Sequence, residues 1–252
     1  MSETFILCGF AFLAGFVDAI AGGGGLIQVP ALFAFFPTAS PAMLLGTNKL
    51  AAVTGTTIAT ARYAWSVPID WRKIVPPAVA AGLAAIGGAR VVSILDPGFL
   101  RPFLLVLLAA MVVYTVSRPS VGRSGERARG GSMLSLCSTA AVFGFYDGFF
   151  GPGAGSVLMF VLVRFFGYEF LRAAATTKVL NLSSNFCSLM LFVATGNVLY
   201  AVAVPMAACN VVGGFLGAHT AVKRGSRFVR VVFLMVSISL IAKLAMDIWR
   251  SS

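Results

Sequence analysis

Long apolar stretches separated by short polar segments constrain the fold of this chain more than any other feature. They lie at 74–94, 99–117, 172–194, 200–222 and 228–249. A helix of about 20 apolar residues is long enough to span the hydrocarbon core of a bilayer. Only 11% of the 252 residues are charged, whereas a soluble domain carries about 25% to solvate its surface. The sequence therefore predicts an all-α polytopic membrane protein, with the lipid bilayer as its surroundings.

The formal net charge of +11 could indicate a surface for nucleic acid, so the positions of the charges matter. Arginine and lysine cluster in short segments between apolar stretches, chiefly at 118–129 and 223–230. Such clusters are typical of the cytoplasmic loops of membrane proteins rather than of a basic face that binds phosphates. We therefore expect no nucleic-acid partner.

The chain repeats itself at a fixed offset. Asp18 aligns with Asp147 and Lys49 with Lys178, and 147 − 18 and 178 − 49 both equal 129. Further pairs at this offset are Gly15 and Gly144, Gly22 and Gly151, Gly24 and Gly153, Thr47 and Thr176, and Gly88 and Gly217. The offset indicates a duplicated unit. We predict a first transmembrane repeat at 1–117, a hydrophilic cytoplasmic linker at 118–132, and a second transmembrane repeat at 133–252.

Each repeat begins with an apolar segment that glycines interrupt. The interruptions fall at 22–25 and at 151–155, and the second contains Pro152. As one continuous helix, either segment would measure about 48 Å, which exceeds a core of about 30 Å. Neighbouring glycines and proline are poor residues for a helix interior. Each segment is therefore predicted to be a re-entrant hairpin or a split helix pair, followed by three transmembrane helices.

The charges of the loops bear on the topology. If the linker at 118–132 is cytoplasmic, the basic loops at 62–73 and 223–230 also lie inside only when each repeat crosses the membrane an odd number of times. The uncharged loops at 37–41 and 195–199 then lie outside. An odd number of crossings makes the repeats inverted, which is the plan of many secondary transporters. Both termini are then predicted to be periplasmic, and two short spans in place of each hairpin would give the same result.

The glycine interruptions are the predicted functional centre. Inverted-repeat transporters bind substrate near the midplane where broken helices meet, and a half-helix N-terminus favours an anion. Lysines inside apolar segments are costly in lipid, and two of them occupy equivalent positions. The predicted substrate-binding residues are Gly22, Gly23, Gly24, Gly25, Gln28, Thr47, Asn48, Lys49, Gly151, Gly153, Gly155, Thr176, Thr177, Lys178 and Asn181. The alternatives are glycines that only allow close helix packing and lysines that extend to the membrane surface.

Asp18 and Asp147, just before the interruptions, allow two interpretations. They either stabilise the broken helices or bind the coupling ion, a proton or sodium. No cofactor and no metal site are expected, because the four cysteines are scattered through apolar segments and His219 is the single histidine. No Ser/His/Asp set lies on neighbouring turns, so no catalytic residue and no enzymatic activity are predicted.

Two long motifs resemble the signatures of the TauE/SafE sulfite-exporter family. The first comprises residues 15–27 (GFVDAIAGGGGLI), Pro30 and 47–50 (TNKL). The second comprises residues 144–153 (GFYDGFFGPG) and 176–181 (TTKVLN), and it lacks the proline that often follows.

The resemblance implies a bacterial inner-membrane transporter of sulfite, sulfoacetate or another organosulfonate, aromatic ones included, working in export or uptake. One repeat would rock against the other around a midplane site. An anion channel and a carrier of a different carboxylate or oxyanion stay as alternatives, and a homodimer is one candidate assembly.

Overall fold

The computed structural model describes residues 2–100, 103, 106 and 132–251, and the described residues form helices without strands. The helices are α1 (Ser2–Ala21), α2 (Gly25–Phe35), α3 (Pro41–Ala64), α4 (Trp71–Ile94), α5 (Met133–Phe149), α6 (Ala154–Arg164), α7 (Phe170–Ala194) and α8 (Tyr200–Ser251). The predicted span 99–117 and the linker 118–132 lie almost entirely outside the described residues. We call α1 to α4 the first half and α5 to α8 the second half.

Several of these helices suit a bilayer. By length and composition, three stretches of the described residues could each cross a membrane: Thr4–Ala21, Trp71–Ile94 and Tyr200–Val229. Large apolar side chains such as Phe5, Leu83 and Val212 are exposed on the helix surfaces. Exposed apolar residues in such numbers need a non-aqueous environment. The prediction of an all-α polytopic membrane protein is confirmed.

Each half begins with a helical hairpin of one long and one short arm. In the first half, α2 turns back along α1, so that a Cβ on Gly24 would lie 2.5 Å from the carbonyl oxygen of Ala14. The turn uses Gly22 with a φ of 76°, and the second hairpin uses Gly151 and Gly153 with φ of 94° and 80°. The short arms, α2 and α6, each have 11 residues. At about 16 Å, they are too short to cross a bilayer core.

The segment 223–230 contains a break in α8. The sequence predicts a loop here; in the structure these residues are helical except at Gly225, where φ is 73° and ψ is −172°, so that two helices meet at a kink. This backbone conformation lies outside the helical region, and glycine adopts it readily because it has no Cβ.

Helix directions follow from contacts at successive turns. Gly213 faces the Phe12 carbonyl and Gly217 the Phe16 carbonyl, so α1 and α8 run in the same direction. In the same way, Ala81 faces Gly144 and Ala85 faces Gly148, so α4 and α5 run in the same direction.

The equivalent helices α3 and α7 run in opposite directions. Lys49 contacts Asn185, whereas Gly46, one turn earlier on α3, contacts Phe192, two turns later on α7.

The two halves are interlocked. The long arm α1 packs against α8 of the other half, and α5 packs against α4, while α3 packs on α8 and α7 on α4. The helices therefore form two packing groups, one of α1, α2, α3 and α8 and the other of α4, α5, α6 and α7. The groups meet mainly where α3 crosses α7.

Small residues set the distance between helices in these groups. A Cβ on Gly88 of α4 would lie 2.1 Å from the carbonyl oxygen of Phe145 on α5. On the neighbouring Gly87, it would meet only the Phe145 ring at 3.7 Å. We expect Gly88→Ala to destabilise the protein by about 1–3 kcal/mol through overpacking, and Gly87→Ala to have little effect. Thermal unfolding of both variants in detergent checks this, and equal melting temperatures would contradict the packing described for α4 and α5.

Candidate functional site

The two hairpins meet at their tips in the centre of the molecule. A Cβ on Gly22 would lie 2.5 Å from the carbonyl carbon of Gly155. The Ser156 hydroxyl donates to the carbonyl oxygen of Ala21 at 2.9 Å. The sequence-predicted interruptions of both halves are therefore brought together, and the contact is backbone against backbone.

Two ion pairs cross between the halves next to these tips. Lys49 Nζ of α3 lies 3.0 Å from Asp147 Oδ1 of α5, and Lys178 Nζ of α7 lies 2.5 Å from Asp18 Oδ2 of α1. Each lysine thus pairs with the aspartate of the other half. The lysine side chains are 2% and 1% exposed, whereas Asp147 is 8% and Asp18 25% exposed. Buried pairs of this kind persist only with good geometry and further hydrogen bonds.

The further hydrogen bonds differ between the two aspartates. Asp147 also accepts a hydrogen bond from the Ser184 hydroxyl, while Asp18 accepts one from the backbone N–H of Gly24 at 3.3 Å. Lys49 donates to Asn185 Oδ1 at 2.7 Å. The equivalent positions therefore have unlike surroundings despite the repeat.

A small cavity of about 40 Å³ lies among these groups. That is room for water or a small ion, since one water needs roughly 10–15 Å³ of this kind of volume. Two buried amides line it with unpartnered atoms: Gln28 Nε2 and Asn48 Oδ1 have no hydrogen bond within the protein. Buried polar atoms are normally satisfied, so the two orphaned atoms indicate a ligand or water in the cavity.

Most of the predicted binding residues line this cavity. Those on its wall are Gly22, Gly24, Gly25, Gln28, Asn48, Lys49, Gly151, Gly155 and Asn181, together with Asp18 and Asp147. The other predicted residues are not on the wall: Gly23, Thr47, Gly153, Thr176, Thr177 and Lys178. Thr47 has a structural role, because its hydroxyl donates to the Met43 carbonyl and accepts the Leu199 N–H.

The prediction that the lysine charges are available to balance an anion needs a correction. In the structure each lysine already has a carboxylate partner, because the crossed packing of the halves brings Asp147 to Lys49 and Asp18 to Lys178. The formal charges of the two lysines and the two aspartates sum to zero. An anion that enters must therefore replace a carboxylate at a lysine or bring a compensating positive charge with it.

Asn210 was missed by the sequence analysis. Its side-chain amide on α8 donates to Gln28 Oε1 at 3.0 Å and to the Ala11 carbonyl at 3.1 Å. It also lines the cavity. A polar side chain in the middle of an apolar span is the signal that could have identified it. Among the described residues, no three His, Cys, Asp or Glu side chains are grouped to hold a metal ion.

Comparison with known proteins identifies the family. The family model described as "Sulfite exporter TauE/SafE" matches residues 7–244. The chain belongs to the TauE/SafE family. That match covers the turns of both hairpins and both crossed ion pairs, and it confirms the resemblance of the two glycine-rich motifs to this family.

Curated relatives match the TauE/SafE chain over nearly its whole length. A "Probable membrane transporter protein ORF9" of Sinorhizobium sp is 35% identical over 238 residues, which is 94% of this chain and 90% of that protein. A "Probable membrane transporter protein" of Haemophilus influenzae is 34% identical, over 96% of this chain and 94% of that protein. The Escherichia coli K12 "Probable membrane transporter protein YfcA" is 33% identical, over 94% and 87%. No solved structure matches the chain.

Membership of this family makes the chain a membrane transporter and not an enzyme. A proposal for what this transporter carries must account for the central cavity and the crossed ion pairs.

Proposed function

We propose that this TauE/SafE protein is a secondary transporter of a small organosulfur anion, such as sulfite, sulfoacetate or another organosulfonate. The observation that carries the proposal is the central cavity, which is lined by Lys49 and by Gln28 with its orphaned amide nitrogen. A sulfonate or sulfite has several acceptor oxygens, which suit an ammonium and neighbouring amide donors. The description of the family as a sulfite exporter supports this class of cargo.

The binding mode follows from the donors around the cavity. Lys49 supplies the charge, and the amides of Gln28 and Asn181 can donate to the remaining oxygens. The hairpin tips bring backbone of both halves to the same place, so the cargo is held between the two packing groups. The cavity is small because the tips are in contact, and the state described is closed around the centre.

Transport by alternating access requires parts that move against each other. A motion of one repeat against the other would have to separate α1 from α8 and α5 from α4, which are closely packed helices. We propose instead that the two packing groups move as bodies. Both crossed ion pairs join one group to the other, so opening the centre on either side strains or breaks them.

The inverted topology is part of this proposal. The opposite directions of the equivalent helices α3 and α7 support inverted repeats, and the short arms support re-entrant hairpins. Basic side chains gather at the ends where α3 finishes and α4 begins, including Arg62, Arg72 and Lys73. By the positive-inside rule, this end is cytoplasmic and the N-terminus is periplasmic in a bacterial inner membrane. The basic segment 223–230, which contains the break at Gly225, is assigned to the cytoplasm by the same rule. The C-terminus that follows it is therefore assigned to the periplasm.

A ligand screen on the purified protein tests the proposed cargo. Thermal unfolding is measured with sulfite, methanesulfonate, sulfoacetate, taurine and benzenesulfonate, and with succinate and sulfate as comparison anions. We expect a sulfur anion to raise the melting temperature, since a ligand that binds only the folded state stabilises it. If only succinate or sulfate stabilises the protein, an organosulfur anion is not its cargo, and the anion that stabilises it becomes the candidate. Counterflow in proteoliposomes held at zero membrane potential would then separate a carrier from a channel, because without a potential only a carrier transiently accumulates labelled anion against its gradient.

A further inference from the structure

The two crossed ion pairs are equivalent in sequence but not in structure. Lys49 and Asp147 both line the cavity, whereas of the second pair only Asp18 does and Lys178 lies behind the wall. An anion in the cavity can therefore contact both members of the Lys49–Asp147 pair, but only the aspartate of the other pair. The sequence repeat by itself does not distinguish the Lys49–Asp147 pair from the Lys178–Asp18 pair.

The two aspartates also differ in what their partners can do after protonation. Both oxygens of Asp18 face donors that cannot accept a hydrogen bond, the Lys178 ammonium and the Gly24 N–H. Asp147 Oδ2 instead faces the Ser184 hydroxyl, which can both donate and accept. Ser184 has a second acceptor ready, the Asn181 carbonyl oxygen at 3.2 Å. A proton on Asp147 Oδ2 would thus have a hydrogen-bond acceptor without any change of fold.

The other surroundings of Asp147 hold few charges. Lys49 faces it from α3, α4 presents the small residues Ala81 and Ala85 to α5, and the α6 side presents Gly151. Asp18 of α1 lines the same cavity. In these surroundings the centre is neutral, and a monovalent anion added alone would leave one uncompensated negative charge in a medium where that is costly.

We propose that Asp147 is the proton carrier of this transporter and that a monovalent sulfonate enters together with one proton. The proton forms an O–H bond at Asp147 Oδ2, which then donates to Ser184, and Ser184 turns its own hydrogen to the Asn181 carbonyl. Lys49 stays an ammonium, keeps its bond to Asn185, and exchanges its bond to Asp147 for one to a sulfonate oxygen. On the other side of the membrane the anion and the proton both leave, and the ion pair forms again. The Lys178–Asp18 pair takes up no proton in this cycle.

This inference rests on the proposed function, and its test separates the two. The probe is methanesulfonate or benzenesulfonate, whichever binds more tightly, because each carries one permanent charge and does not itself titrate. Calorimetry in two buffers of different ionisation enthalpy counts the protons taken up per bound anion. We expect about one proton for the unmodified protein, and an affinity that falls about tenfold for each pH unit of increase over the range in which one proton is bound with each anion.

Two matched variants identify the carboxylate. Asp147→Asn is expected to bind the probe with no proton uptake and no pH dependence, because the amide cannot ionise. Asp18→Asn is expected to weaken the protein or its affinity but to keep the proton uptake. In proteoliposomes containing a pH dye, influx of the probe should acidify the lumen with the unmodified protein and not with Asp147→Asn.

Each other outcome overturns the inference. Asp147 is excluded as the proton carrier if the anion binds without proton uptake, or if its flux depends on a sodium gradient instead. It is also excluded if proton uptake survives Asp147→Asn and is lost in Asp18→Asn. In each of these cases the proposed cargo still stands. If neither probe nor any sulfur anion binds or moves at any pH, the proposed function fails, and this inference fails with it.

Discussion

Lys49→Ala is expected to abolish binding of the sulfur anion, with a loss of at least about a hundredfold in affinity. The variant removes the one ammonium on the described wall of the cavity and leaves Asp147 buried without its partner. Removing one member of a buried, hydrogen-bonded charge pair costs about 3–5 kcal/mol, so the melting temperature should also fall clearly. Equilibrium binding and thermal unfolding in the same detergent measure the two effects.

Two further variants separate binding from folding. Lys73→Ala removes a lysine of the exposed pair with Asp70, whose side chains are 69% and 37% exposed, and such pairs contribute about 0–1 kcal/mol. It should leave both measurements unchanged. The double variant Lys49→Ala/Asp147→Asn removes both charges, so we expect stability to recover but binding to stay lost. Full binding by a folded Lys49→Ala protein would refute the site.

The sequence alone identifies many of the residues around the central cavity, because each repeat has an aspartate and a lysine at equivalent positions. The offset of 129 pairs Asp18 with Asp147 and Lys49 with Lys178, and polar residues in apolar helices are costly unless they serve a purpose. The offset does not say which lysine meets which aspartate. Crossed pairing depends on α1 packing against α8 and α5 against α4, and such long-range packing leaves no signal in the local sequence.

Helix geometry explains why some predicted residues are not at the cavity. Thr47, Asn48 and Lys49 follow one another on α3, and successive residues of a helix point about 100° apart. Three neighbours cannot all face one small cavity, and here Asn48 and Lys49 do while Thr47 bonds toward Leu199. On α7 none of Thr176, Thr177 and Lys178 lines the cavity, and Asn181, about one turn later, does. A sequence motif predicts which segment lies near the site. The angular positions of its residues around the helix decide which of their side chains face the cavity.

Gly22→Ala is expected to have the second large effect, on both stability and binding. Gly22 has a φ of 76°, where a residue with a Cβ costs about 1–2 kcal/mol. Its Cβ would also lie 2.5 Å from the Gly155 carbonyl carbon and 2.8 Å from the Ser156 nitrogen. Both neighbours are backbone, so the hairpin tips must separate, which adds about 1–3 kcal/mol of overpacking. Thermal unfolding and anion binding measure the outcome.

Gly196→Ala is the matched control for the backbone term, because Gly196 has a φ of 70° and no atom within 4 Å of an added Cβ. It should lower the melting temperature by the conformational cost alone and leave anion binding unchanged. The excess effect of Gly22→Ala over Gly196→Ala then measures the contact between the tips. If the two variants are equally stable and bind equally well, the tips do not hold the centre closed. In that case the crossed ion pairs, rather than the backbone contact, would be what joins the two packing groups.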